Sequence, residues 1–274
     1  MPNSFTPTAE NLSRIGSTVL QPMLAPLAKI ARFFPLEPER GELPGLTSQV
    51  ALATVAPATQ TGNTVDFNIG DSTLAAINVP MEMYVQAFGI SSYNLSGGRQ
   101  FAWLAEINAR QFAATLWDVV ASKFTTGNFG APVATVAANA FAVGDFETMF
   151  AAVPSAERAV VLDSPYFCKV KPLGWFPPSF DACFESNRWS AAGEKVRGVV
   201  ASPHALVCRW DFPQLAPQGV NLISRDVLTL PAIGMAVESS LWIIPATRSY
   251  RGAFAVYFGC AVGDATALKL LSSG

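Results

Sequence analysis

SGGRQFAWLAEINARQFAATLWDVVASKF, residues 96–124, is the longest run in the chain that reads as a single helix. No proline interrupts it, and Ser96 stands where a side-chain oxygen can cap the first turn. Phe101, Leu104, Ala105, Phe112, Leu116, Val119 and Val120 share one face at helical spacing. Trp103, Ile107 and Trp117 form a second apolar stripe, and Glu106 and Arg110, four apart, can pair on what remains. An ordinary core helix needs one apolar stripe; two demand packing on more than one side. The run would span roughly 40 Å at 1.5 Å per residue. Gly127 and Gly130, around Asn128 and Phe129, punctuate its end.

Beyond the helix the pattern changes. A second helix is expected around 146–152, ended near Pro154. RAVVLDSPYFCKV, residues 158–170, then reads as an apolar strand from Ala159 to Leu162 running into Ser164, Pro165 and a short helix. VRGVVASPHALVCRW, residues 196–210, repeats the device: a strand to Ala201, Ser202 as cap, Pro203 in the first helical position. Strands alternating with helices predict an α/β lobe over 139–212. Residues 213–274 return to strands, NLISRDVLTL, MAVESSLWII and GAFAVYFGCAVG. The last is almost wholly apolar, so both its faces should be covered.

Before the helix, residues 47–95 are strand-like. Val65, Phe67 and Ile69 alternate with polar neighbours, Gly70 and Asp71 supply turn chemistry, and Ile77, Val79, Met81, Met83 and Val85 alternate again. This predicts a long hairpin, with Pro80 at an edge or a bulge because it cannot donate to a ladder. Residues 51–95 hold Asp66, Asp71 and Glu82 and no lysine or arginine. A free hairpin so poor in charge invites sticking; one laid over another subunit does not. Residues 1–46 carry seven of the twenty prolines and read as an extended arm, apart from a short amphipathic piece between Leu12 and Leu20. Such an arm gains order by lying on a neighbour; the alternative is a floppy terminus.

Composition narrows the function classes. The chain has 274 residues, 50% hydrophobic and only 14% charged, against roughly 25% charged in an ordinary soluble domain. A surface so short of charge is buried against other subunits or against lipid. Pro245, Arg248 and Arg251 break the apolar C-terminal stretch, and no apolar signal core opens the chain. The expectation is therefore a soluble intracellular product, without export or membrane contact, that buries surface against its own copies. A net charge of −2 with scattered lysines and arginines predicts at most weak contact with nucleic acid.

Catalytic chemistry is sparse. His204 is the chain's single histidine, and Cys208 lies four residues on. On the expected helix, His204 falls in the first turn, where the dipole favours the neutral ring. Cys208 sits a turn inside, away from the N-terminus that activates a thiol. A Cys–His nucleophile is therefore not expected, and His204→Ala should leave stability and assembly nearly intact. Cys168, Cys183, Cys208 and Cys260 make no CxxC pair and read as buried small hydrophobes rather than metal ligands. Asp163 precedes Ser164 but has no second histidine to act with. No phosphate-binding glycine loop or nucleophile elbow occurs, so no catalytic, cofactor-binding or metal residue is assigned.

The order of segments resembles the major capsid protein of tailed bacteriophages, whose Hong Kong 97-like fold bacterial encapsulin shells share. The resemblance rests on Gly97 to Gly130, RAVVLDSPYFCKV, VRGVVASPHALV at 196–207 and FGCAVGDATALKLL at 258–271. It implies an α+β fold with five parts. Residues 1–46 would be the N-terminal arm, 47–95 an extended loop overlapping the adjacent subunit, and 96–130 a peripheral domain with a spine helix at 96–124. Residues 131–212 would be an axial domain meeting its copies in pentamers and hexamers, and 213–274 strands returning to both domains. It also implies an icosahedral virion shell made in the host cytoplasm around a double-stranded DNA genome. Scaffolding, portal and cement or decoration proteins would be further partners, with weak non-specific contact to the packaged DNA. Some members weld subunits through a lysine on the extended loop; no lysine occurs here between Lys29 and Lys123, so that bond is not expected. The rival readings are an encapsulin-like shell, an α/β enzyme with an apolar cleft, and a phage tail or decoration component.

Overall fold

A computed structural model of the chain describes residues 23, 27, 28, 30, 36–38, 47–54, 73–91, 99–153, 157–170, 183–189, 195–211, 221–231, 233–247 and 249–274. The long helix is present as α1, Arg99–Ala121; Ser96 and the Val65–Ile69 run lie outside the described residues. Ala105, Phe112, Leu116 and Val120 are buried on its main face, as the spacing requires. The second stripe divides. Trp117 enters the core and donates from Nε1 to the Ser186 hydroxyl at 2.9 Å, whereas Trp103 and Ile107 stay 63% and 43% exposed. Arg110 pairs with Glu106 at 2.6 Å. A short helix, α2, Thr126–Phe129, follows; the Thr125 side chain accepts from Asn128 N, and Gly130 ends it at φ 78°, a backbone state that glycine enters without steric cost.

Helix α1 packs on the largest of the three sheets among the described residues. Its central strand is β12, Ser249–Val262. Along one edge of β12 runs β4, Glu82–Ser91, paired antiparallel from Ser249↔Ser91 to Phe258↔Glu82. Along the other edge lie β11, Met235–Ile244, and then β9, Leu206–Asp211, both antiparallel. Strand β10, Asn221–Leu230, completes a hairpin with β11, and β1, Leu36–Pro38, pairs parallel with β9. With partners on both edges and α1 on one face, β12 buries Phe254, Val256 and Phe258, each worth about 1.5–3 kcal/mol of burial. Gly252 is required there: its Cβ would stand 2.6 Å from the Phe88 ring that lies over it.

The second, five-stranded sheet has the order β5-β13-β8-β6-β7. Its strands are β5 Ala134–Thr135, β6 Ala159–Leu162, β7 Cys183–Glu185, β8 Val196–Ala201 and β13 Leu268–Ser272. Helices α3, Val143–Ala151, and α4, Ser164–Val170, accompany it. Phe141, Phe146, Met149 and Tyr166 form a separate cluster with Val160 and Leu162 of β6. The strand-to-helix reading of RAVVLDSPYFCKV holds with a shift of one residue: Ser164 is already helical, and Asp163 takes its N–H at 3.0 Å.

Three expectations fail. The second strand–Ser–Pro–helix unit is not one. After β8 the chain turns at Ser202–Ala205 and leaves at once as β9. His204 has φ 73°, so it sits in the left-handed region of a tight turn, where no helix can pass. Ser-Pro serves a turn as readily as a helix start; the alternation in LVCRWD, buried and paired to β12, decides for strand. Secondly, the odd-numbered apolar face does not continue through the hairpin. Val79 is buried but Met83 and Val85 are 53% and 51% exposed. Met81, the one residue between β3, Thr73–Pro80, and β4, breaks the ladder and reverses the phase. Pro80 is at this break, as expected of a residue without a donor. Strand β3 pairs with β2, Thr47–Thr54, so a hairpin exists, with its first strand earlier than the Val65–Ile69 run. Thirdly, the arm is not extended throughout. Met23, Leu27, Ala28 and Ile30 are helical, and Met23, Leu27 and Ile30 are fully buried in the main core.

Candidate functional site

The residues with nucleophilic or acid–base potential do not converge. His204 is held in the turn between β8 and β9, where its carbonyl oxygen accepts from Asp264 N at 2.9 Å. Asp163 caps α4, its carbonyl accepting from Tyr166 N and Phe167 N, and it lies 3.5 Å from Arg197. Cys208 is on β9, fully buried, with its Sγ 3.4 Å from Cys260 Sγ on β12. Burial first, and then the hydrogen bond to Cys260, push the Cys208 thiol well above its ordinary range, the reverse of what a nucleophile needs. The expectation that all four cysteines are buried holds for Cys208 and Cys260; Cys183 is half-buried and Cys168, on α4, is exposed. Among the described residues no three histidine, cysteine or acidic side chains gather as a metal site would require.

One cleft, of about 390 Å³, opens between the C-terminal half of α1 and strands β4 and β12. Glu82, Tyr84, Asp118, Lys123 and Cys260 line it. Asp118 is engaged with Arg188 at 2.6 Å. The Tyr84 hydroxyl is held protonated up to about 12, by burial and by the Glu82 carboxylate it faces. Burial raises the Asp118 carboxyl above its ordinary range, and the Arg188 charge opposes the rise; the cleft does not show a nucleophile paired with a base, as covalent catalysis uses.

What the molecule does present is uncovered apolar surface. The even-numbered side of β4 faces inward: Tyr84 and Phe88 pack on the main core, and Gln86 Nε2 donates to Asn108 Oδ1 of α1 at 2.8 Å. The odd-numbered side, with Met83 and Val85, faces out. Trp103 and Ile107 stand exposed on α1, and Leu222 and Val227 on β10. Single exposed apolar residues are common; with Val143, a tryptophan and six aliphatic or thioether chains stand exposed among the described residues of one charge-poor chain. Among the described residues β4 pairs on one edge only, with β12, and β10 on one edge only, with β11. The two-stripe reading of α1 detected part of this surface, because it asked for packing on more than one side. It missed Met83 and Val85, since strict alternation assigned them to the core. It also missed Met23, Leu27 and Ile30, whose helical spacing was obscured by the surrounding prolines.

No family model matches the sequence, and no curated protein matches it. Solved structures do. The virus-like particle from Pyrococcus furiosus matches with a TM-score of 0.56 at 10% identity, over 95% of this chain and 98% of that one. The capsid of a native GTA particle matches at 0.52 and 14% identity, over 90% of both chains. The satellite phage P4 procapsid, which includes the size determination protein Sid, matches at 0.50 and 10% identity, over 93% of this chain and 98% of that one. Likeness along nearly the whole length of both chains at such low identity establishes the fold: an α+β fold of the kind found in these shells.

Proposed function

We propose that the chain is the repeating subunit of a closed protein shell, the major capsid protein of a double-stranded DNA bacteriophage, and that it acts by self-association rather than catalysis. One observation carries the reading. A chain with this fold leaves Trp103, Ile107, Met83 and Val85 uncovered, as a subunit does when its copies complete it.

On this reading residues 1–46 are the arm, 47–95 the loop that overlaps the next subunit, and α1 the spine of the peripheral domain spanning 96–130. Residues 131–212 are the axial domain that gathers into pentamers and hexamers, and 213–274 return to both. The break at Met81 supports the second assignment, since beyond it the β2–β3 hairpin forms a two-stranded sheet of its own. A net charge of −2 suits a container that holds DNA without gripping it. The subunit is made in the host and resides in the virion, with portal, scaffolding and cement or decoration proteins as partners. The P4 procapsid, which holds Sid beside its capsid, is a precedent for an assembly helper. With no lysine between Lys29 and Lys123, the shell is held without an isopeptide bond from the loop, and denaturing electrophoresis gives one monomer band.

Expression alone, size exclusion and negative-stain electron microscopy of the heaviest fraction test the proposal. Closed shells or capsomer rings are expected; a species of one or two chains at every concentration counts against it. The likeness to the Pyrococcus particle favours one second reading, a shell enclosing protein cargo. Nuclease-protected DNA inside native particles supports the first, and a packaged enzyme the second.

A further inference from the structure

We propose that Cys208 and Cys260 are a disulfide-forming pair, a covalent lock between β9 and β12 that a small disulfide oxidant closes and a thiol reductant opens. The inference rests on the subunit's own geometry and is independent of what the subunit assembles into.

Cys260 stands directly opposite Cys208 in the antiparallel register, with Gly259↔Arg209 and Ala261↔Val207 on either side. Opposite residues in an antiparallel ladder have Cα atoms about 4.5 or 5.5 Å apart, according to the pair type, and both values fall within the span a disulfide accepts. The two side chains leave the same face of the sheet, and their sulfurs already lie 3.4 Å apart. Side-chain rotation alone can close the remaining gap, without moving either strand. Both thiols are buried in the main core, but Cys260 also lines the cleft between α1 and β12. That cleft is the route we assign to a small reagent, with Cys260 as the member it reaches first. Burial and the neighbouring Cys260 hold the proton on Cys208, with Lys123 a minor opposing charge, so closure calls for alkaline conditions.

The exchange balances. The Cys260 thiolate attacks the oxidant's S–S bond, releasing one small thiol and leaving a mixed disulfide. Cys208, after losing its proton, attacks the Cys260 sulfur and expels the second small thiol. Both S–H bonds break, one S–S bond forms, and the two electrons and two protons leave with the cleaved oxidant. The closed loop holds the whole β10–β11 hairpin between its ends, so the lock restricts the unfolded chain over a span of 52 residues.

The test uses the full chain carrying Cys168→Ser and Cys183→Ser, which leaves the core pair alone. The folded protein is incubated with hydroxyethyl disulfide at mildly alkaline pH, quenched in acid, unfolded, and its thiols counted by alkylation and intact mass. A parallel sample is refolded in the same reagent, which gives access whatever the cleft admits. Expected are two alkylatable thiols before oxidation and none after, a monomer lighter by two hydrogen atoms, a peptide joining 208 to 260, and return of both thiols with dithiothreitol. The oxidised subunit should also unfold at a higher urea concentration than the reduced one. Adding Cys208→Ser should abolish the cross-link; should that variant fail to fold, the mass and peptide results on the two-thiol chain still decide. Persistence of both thiols after oxidation and after refolding, a stable mixed disulfide on Cys260, or linkage only between chains would each overturn the proposal.

Discussion

Gly263 stands against His204 where the chain crosses twice between the two larger sheets. Gly263 N donates to Ala205 O at 3.0 Å and Asp264 N to His204 O at 2.9 Å, so the β8-to-β9 and β12-to-β13 crossings are bonded side by side. A β-carbon on Gly263 would drive into the His204 carbonyl oxygen, which is backbone and cannot swing away. Gly263→Ala should therefore cost about 2–3 kcal/mol by overpacking, read as a lower urea midpoint. At His204, with φ 73°, glycine removes a left-handed penalty of about 1 kcal/mol, so His204→Gly should be neutral or stabilising. His204→Ala keeps that penalty and should change stability by less than about 1 kcal/mol. A loss well beyond that would show that the imidazole makes a contact of its own.

On the shell reading, the exposed apolar residues separate folding from assembly. Trp103 and Met83 are 63% and 53% exposed, so Trp103→Glu with Met83→Glu should alter the subunit's unfolding free energy by no more than about 1 kcal/mol. Sedimentation should nonetheless move from large particles to small species, because two charges would be desolvated at a contact between copies. Particles of unchanged size and yield would remove Trp103 and Met83 from the assembly surface.

Glu238 is buried at 3% exposure and accepts from Arg225 Nη2 at 2.8 Å and from Ser240 Oγ at 2.8 Å. Removing the arginine strands a carboxylate between β10 and β11, so Arg225→Met should cost about 3–5 kcal/mol. Replacing both, Arg225→Met with Glu238→Met, should recover most of that loss. Equal destabilisation of the single and double variants in chemical denaturation would show that the pair is not coupled.

Tyr84 sets an alkaline limit. Burial, and then the neighbouring Glu82 carboxylate, raise its hydroxyl from 10.0 to about 12. The folded state therefore holds a proton that the unfolded chain gives up earlier. This contribution to stability is complete below pH 10 and is lost as pH rises through about 12. In the alkaline range the natural chain should lose stability more steeply than Tyr84→Phe. The variant should also lack the latest step in the ultraviolet phenolate titration. Matching slopes would place Tyr84 in ordinary contact with solvent.

Sequence periodicity determined the elements wherever one face met one environment. The main face of α1, strands β10 to β12 and the apolar β6 running into α4 all follow from spacing and local turn chemistry, because burial on one side stamps its period on the chain. Tertiary structure decided what depends on a partner distant in sequence. Ser202-Pro203 is compatible with a helix start or a turn, and the ladder from Cys208 to Cys260 makes it a turn. The residues Met81 to Val85 alternate without interruption in sequence, yet one unpaired residue reverses which face is buried. Trp103 and Trp117 look alike on a helical wheel; Trp117 is bonded to Ser186, 69 positions on, in the core, and Trp103 stays exposed. Local chemistry limits each segment to a few conformations, and the contacts that choose among them join residues far apart in the chain.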